Sequence, residues 1–169
     1  MRSPVLSSTA SVTSSLLISR KVVDEFGARI ADILSGAPRQ LEILSFVPGM
    51  QITSAQIASI EVTFFSRDIW EGTIKTELSP AAQAYWPIVD AAPNLRWLQV
   101  VSAGADQRPY QPSTRRGIRV TTSAGANAEP VGLTAVTGLM MLARGFPHWL
   151  SAQRNCGWSP LQPPHLPLD

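Results

Sequence analysis

Apolar residues along this chain switch repeatedly between a strand-like and a helix-like rhythm. Leu16, Leu17 and Ile18 form a short apolar run closed by Ser19. Val22, Val23, Phe26, Ile30, Ile33 and Leu34 then recur at helical spacing and share a broad face, until Gly36 and Pro38 stop the helix. Residues 41–47 (LEILSFV) read as a strand with Pro48 and Gly49 behind it, and residues 60–65 (IEVTFF) as the next, rich in β-branched and aromatic side chains. Residues 66–78 read as a loop. Ser79 is placed to cap a helix that has Pro80 at its first position and continues through Ala84, Trp86, Ile88, Val89 and Ala91. Pro87 inside it should kink or split it, and Pro93 ends it. Residues 95–101 (LRWLQVV) and 118–121 are two further strands.

The strongest helix signal begins at Asn127, a good N-cap residue, with Glu129 and Pro130 in the first turn, Arg144 in the last and Gly145 as the stop. Val131, Leu133, Val136, Leu139, Met140, Met141 and Leu142 make it apolar nearly all round, which predicts a buried helix. Gly132 and Gly138 each cost roughly 1 kcal/mol relative to Ala in a helix interior. Close packing against another element would explain them. Residues 146–160 suggest a second amphipathic helix built on Phe146, Trp149 and Leu150.

Strands that alternate with helices at this pitch imply crossover units and a parallel sheet. The expected fold is an open, flavodoxin-like α/β domain over residues 14–126. A polar tail over 1–13 precedes it, crossover helices over 127–158 follow, and a proline-rich linker over 159–169 comes last.

Composition narrows the classes. Of 169 residues, 44% are hydrophobic and 15% charged, enough apolar material for a core. The formal net charge of +2 is small and its arginines and lysines are scattered, so no footprint for nucleic acid or an anionic membrane is visible. No apolar run reaches the roughly 20 residues that a bilayer demands. Cys156 is the only cysteine, which excludes an internal disulfide and a thiolate metal site and fits a reducing, cytoplasmic setting. His148 and His165, the only histidines, have no carboxylate or nucleophile set beside them by any motif, and no metal site is expected. Trp86, Trp97, Trp149 and Trp158 are expected in the core or at an interface.

In an open α/β sheet, ligands bind beyond the carboxyl ends of the strands. Two loops of small residues leave such ends here: Ser102-Ala103-Gly104-Ala105-Asp106 and Ser123-Ala124-Gly125-Ala126-Asn127. Small side chains let a ligand approach backbone N–H groups, which suit a carboxylate. Both loops equally fit the description of tight strand-to-helix turns. Arg67 and Asp68, after the second strand, would form either a polar lip to the cleft or a salt-bridged surface loop. The sequence holds neither G-x-G-x-x-G nor G-x-x-x-x-G-K-[ST].

Taken together, LRWLQVVSAGADQ followed by GIRVTTSAGANAEPVGLTAVTGLMMLARGF resembles the D-isomer-specific 2-hydroxyacid dehydrogenases, from about Ile60 to Trp158. The resemblance implies a discontinuous two-domain enzyme in which a Rossmann domain is inserted after the crossover helix of a flavodoxin-like substrate domain. It implies hydride transfer between NAD or NADP and a small 2-hydroxy or 2-keto acid. The family's carboxylate-binding backbone falls on Gly104 and Ala105, its substrate-facing Asn on Asn127, and its nicotinamide-proximal positions on Ala128 and Val131. The family's Ala–Glu after the Val is here Gly132–Leu133. By the same resemblance the glycine fingerprint, the catalytic Arg, Glu and His, and the closing strands and helix of the substrate domain would lie beyond Asp169. The expectation is a truncated member with no catalytic residue of its own, inactive alone. The competing reading is a non-enzymatic remnant that binds a carboxylate or pairs with a copy of itself or with a full-length relative. A flavodoxin-like module for some other ligand is a third, lacking a phosphate-binding loop after the first strand.

Overall fold

The structure is a computed structural model and describes residues 14–74 and 77–160. Five strands form one sheet: β1 (Ser14–Ser19), β2 (Leu41–Phe46), β3 (Ile60–Phe65), β4 (Trp97–Val100) and β5 (Arg119–Thr121). Every neighbouring pair is parallel and the spatial order is β2-β1-β3-β4-β5, the flavodoxin-like order expected from the alternation of elements. All five strands therefore come from residues 14–121. The expected polar tail and the end of the linker, His165 included, lie outside the described residues.

The register sets Leu44, Leu17, Thr63, Leu98 and Val120 abreast across the sheet. On this face packs helix α4 (Pro80–Ala91), which buries Ala82, Tyr85, Trp86, Ile88 and Val89 against Leu17, Phe65, Leu98 and Val100. Ser79 caps α4 as its position predicts, accepting from Ala82 N–H at 3.1 Å. Pro87 does not split the helix, which runs unbroken to Ala91. Its ring lies on the exposed side, where water can satisfy the carbonyl that loses its N–H partner. Tyr85 is fully buried, and its hydroxyl lies 2.5 Å from Thr63 Oγ1, which donates to the Leu17 carbonyl at 2.9 Å. Polar satisfaction thus ties α4, β3 and β1 together where no water reaches.

Helix α1 (Arg20–Ser35) starts at Ser19, whose Oγ accepts from Val22 N–H, and ends at Gly36. Its apolar face is narrower than the spacing suggests: Val22, Val23, Ile30 and Leu34 are half-buried while Phe26 and Ile33 are exposed. Three short helices went unread in the sequence: α2 (Ser54–Ser59), α3 (Arg67–Trp70) and α5 (Gln111–Arg115), the last preceded by a 3₁₀ turn over Arg108–Tyr110. Each has six residues or fewer, too few for a periodic pattern. α2 carries a capping box nonetheless, Thr53 and Gln56 bonding reciprocally.

The chain divides into two compact units after Ser123. The second holds α6 (Ala128–Ala143) and α7 (Phe146–Arg154), joined at Gly145, whose φ of +69° ends α6 as expected. The expectation that α6 is buried is overturned. Val131, Leu133, Val136, Leu139, Met140 and Leu142 are all more than half exposed. An all-apolar helix requires cover on every side, and the described residues do not provide it. Gly132 and Gly138 have no neighbour that a Cβ would meet, so close packing does not account for them. Trp86 is in the core, but Trp97 is 42% and Trp158 94% exposed, and Cys156 is an exposed thiol. No helix among the described residues is long and apolar enough to cross a membrane, and no group of three metal-ligating side chains occurs among them.

Candidate functional site

Two features occupy the carboxyl rim of the sheet in the first unit. The first is the loop that follows β4. Ser102 Oγ donates to the Gly104 carbonyl at 2.8 Å and lies 3.1 Å from the Tyr110 hydroxyl. The Ser102 carbonyl accepts from Ser123 N–H at 3.0 Å, which ties this loop to the chain leaving β5. Tyr110 is fully buried, so the loop hangs from a fixed post. Burial raises the Tyr110 pKa; the Ser102 hydrogen bond opposes the rise and the Asp106 charge adds to it.

Residues 103–106 are exposed. The N–H groups of Gly104 and Ala105 have no acceptor among the described residues. They are free donors at a strand end, the kind of group that receives an anion. A Cβ at Gly104 would stand 2.7 Å from Asp106 Oδ1, so a larger residue there would displace the exposed Asp106 carboxylate. The Asp106 carboxylate folds back toward Gly104 and sets a negative charge beside these donors.

The second feature is the crevice at the point where the strand order reverses, between β1 and β3. Here a cavity of about 610 Å³ is lined by Ser19, Arg20, Asp24, Phe46, Asp68 and neighbouring residues. Asp68 Oδ1 accepts from Ser19 Oγ at 3.0 Å and from Ser66 Oγ at 2.6 Å. The start of α1 therefore already faces a carboxylate supplied by the chain itself. Asp68 acts as a lip held by two serines, not as a partner of Arg67, which is exposed and makes no salt bridge among the described residues. The signal was a serine closing each of two apolar runs, Ser19 and Ser66, with Asp68 two residues later.

The remaining predicted positions lie in the second unit. Asn127 occupies the N-cap position of α6, but its side chain makes no capping bond. Its φ of −110° and ψ of 14° depart from the extended geometry that aims a capping side chain at the helix. Gly125 turns the chain with φ +86°, and Ala128 N–H donates to its carbonyl at 3.0 Å. Val131 N–H donates to the Asn127 carbonyl at 3.1 Å, Pro130 has no N–H, and Glu129 adds a carboxylate to the first turn. This helix start does not fit a dinucleotide pyrophosphate, which calls for several open N–H groups. Ala128 and Val131 are exposed. Gly104 and Ala105 share one loop of the first unit, while Asn127, Ala128 and Val131 share one turn of the second. His148, also in the second unit, is exposed and lies 2.9 Å from Ser159 Oγ.

No protein-family model matches the chain, and no curated protein matches it. Among solved structures, the chain is similar to a D-isomer specific 2-hydroxyacid dehydrogenase from Xanthobacter autotrophicus Py2, solved in complex with NADPH and MES. The TM-score is 0.56 at 14% identity over 89% of this chain. Phosphoglycerate dehydrogenase from Lactobacillus plantarum aligns over 88% at 18% identity with a TM-score of 0.39. The chain spans 42% of the length of each. The likeness to the first is one of fold: an open, all-parallel α/β sheet.

Proposed function

We propose that these residues are the substrate-binding part of an NAD(P)-dependent D-2-hydroxyacid dehydrogenase, with Gly104 and Ala105 presenting their N–H groups to the carboxylate of a 2-hydroxy or 2-keto acid. One observation carries the reading: two exposed, unengaged N–H groups at the carboxyl end of β4. The fold likeness to a dehydrogenase of that kind supports it, as does the order of motifs from the Gly104 loop to Arg144.

In this reading the chain binds and orients the acid. Ser102 and the buried Tyr110 hold the loop still, so that little ordering is left to occur on binding. For Asn127 the family resemblance suggests a substrate contact, and for Ala128 and Val131 apolar contacts near the nicotinamide; these roles rest on the resemblance alone. The pyrophosphate is held by residues other than these, since the α6 start does not suit it. Oxidation of the hydroxyl needs a positioned base, and no motif of the 169 residues sets one at the Gly104 loop. The chain by itself is therefore inactive in turnover. A second reading, in which the chain pairs with another copy or with a longer relative, is favoured by the exposed apolar residues of α6.

The test is a titration of the ¹⁵N-labelled chain with oxamate, followed by amide shifts. Saturable shifts at Gly104 and Ala105 are expected. A titration that leaves both amides unmoved would remove the basis of the proposal. Oxidation of NADH by the isolated chain with a 2-keto acid would overturn its inactivity.

A further inference from the structure

The opposite rim of the same unit, at the amino ends of the strands, holds a cavity of about 520 Å³. Arg39, Arg96, Arg116 and Arg119 line it, with Glu61 as the single carboxylate. Four arginines against one carboxylate give this rim an excess of positive charge.

Two of the four are already anchored. Arg39 Nη2 lies 2.6 Å from Glu61 Oε1, which also accepts from Ser14 Oγ at 2.8 Å. Arg116 donates to the carbonyls of Val89, Asp90 and Ala92 at the end of α4. These bonds restrain both side chains. Arg96 and Arg119 are exposed and have no side-chain acceptor among the described residues. Their backbones are joined, Arg119 N–H donating to the Arg96 carbonyl at 3.0 Å, so the two side chains leave neighbouring points of the rim, Arg119 on the face of Trp97 and Arg96 on the other. Trp97 stands beside them at the rim, its indole N–H fixed by Thr121 Oγ1 at 2.6 Å.

We propose that this cavity binds a phosphate group, inorganic or as a phosphomonoester, with Arg96 and Arg119 as its charge-pairing donors. The planar guanidinium fork matches phosphoryl oxygens two at a time, and a dianion offsets most of the excess charge. The site lies at the opposite ends of the strands from the Gly104 loop and does not depend on the reading of that loop.

The test uses the whole ¹⁵N-labelled chain at constant ionic strength, with phosphate exchanged for chloride. Saturable shifts are expected at the Trp97 indole N–H and at the Gly117 and Ile118 amides. R96A/R119A should weaken binding about tenfold, as loss of two charge-assisted contacts implies, whereas Arg29→Ala, on α1, should change nothing. E61Q, which removes the one repelling carboxylate and frees Arg39, should tighten it. Adenosine monophosphate provides the second arm: tighter binding with Trp97 ring shifts assigns the phosphomonoester, and equal affinity without them assigns inorganic phosphate. Arg96 and Arg119 are both exposed, so the double variant should keep its native amide spectrum; Arg119→Gln alone serves if it does not. Shifts that chloride reproduces, or that persist unchanged in the arginine variants, would overturn the proposal.

Discussion

Replacing Thr63 with Val keeps the shape of the core and deletes one hydroxyl. That hydroxyl lies 2.5 Å from the Tyr85 oxygen and donates to the Leu17 carbonyl at 2.9 Å. Tyr85 is fully buried, so its hydroxyl cannot find water in exchange. Leaving a buried polar group without a partner costs about 1–3 kcal/mol. Tyr85→Phe is the milder change. It retains the ring contacts with Phe46, Phe65 and Trp86, at centroid distances of 5.3, 5.3 and 5.4 Å. Thr63 then still donates to Leu17, so the loss is that of one hydrogen bond, about 1 kcal/mol. In the double variant T63V/Y85F no hydroxyl is stranded, and its cost should fall about 1–2 kcal/mol short of the sum of the single costs. Urea unfolding read by far-ultraviolet circular dichroism gives the four stabilities, comparable if the slope with urea is unchanged. The reasoning is refuted if T63V costs less than Y85F, or if the double variant costs the full sum.

Other outcomes follow from the same structure. Burial raises the Tyr85 pKa above the ordinary tyrosine range near 10, so above that pH the unfolded chain gives up the proton first. The unfolded state then binds fewer protons and stability falls with rising pH, by at most roughly 1.4 kcal/mol per pH unit from this residue. Y85F should flatten the alkaline slope of the urea midpoint, and an unchanged slope would contradict the assignment. D106N should tighten oxamate binding a few-fold, about what removal of one nearby charge in a water-exposed loop allows; weaker binding in the same titration would argue against an anion at Gly104. Gly117 turns the chain into β5 at φ +73° with open space around it. G117A should therefore cost roughly 1 kcal/mol through conformation alone, and G117N less, in thermal or urea unfolding.

The inner strands were legible because a parallel strand largely buried on both faces, as β1 and β3 are, writes itself as an apolar run. Residues 60–65 are a strand from end to end, and β1, β2, β4 and β5 lie inside or within two residues of the runs that predicted them. Ser79 and Gly145 were legible because caps and left-handed turns depend on single residues. The short helices α2, α3 and α5 were not, since one or two turns leave no period to read. Pro87 misled because an exposed proline face can leave its orphan carbonyl to water. α6 misled in the other direction: composition reports how much a helix would gain from cover, not whether cover exists. The Gly104 loop could be named from Ser-Ala-Gly-Ala-Asp after an apolar run. Its support by Tyr110, eight residues from Ser102, could not, because that bond is made only once the intervening 3₁₀ turn folds. The crevice at Asp68 depends on Ser19, forty-nine residues away, and becomes visible only with the strand order.

The spatial order β2-β1-β3-β4-β5 also bears on how the sheet comes into being on the ribosome. β1 leaves first and β2 joins one flank. β3, β4 and β5 then join the other flank in the order of their synthesis. No strand has to be threaded between two that have already paired, so assembly can keep pace with elongation at about 5–20 residues per second. The last edge offered to the next arriving segment or to another chain is β5, only three residues long, a poor template for unwanted strand addition.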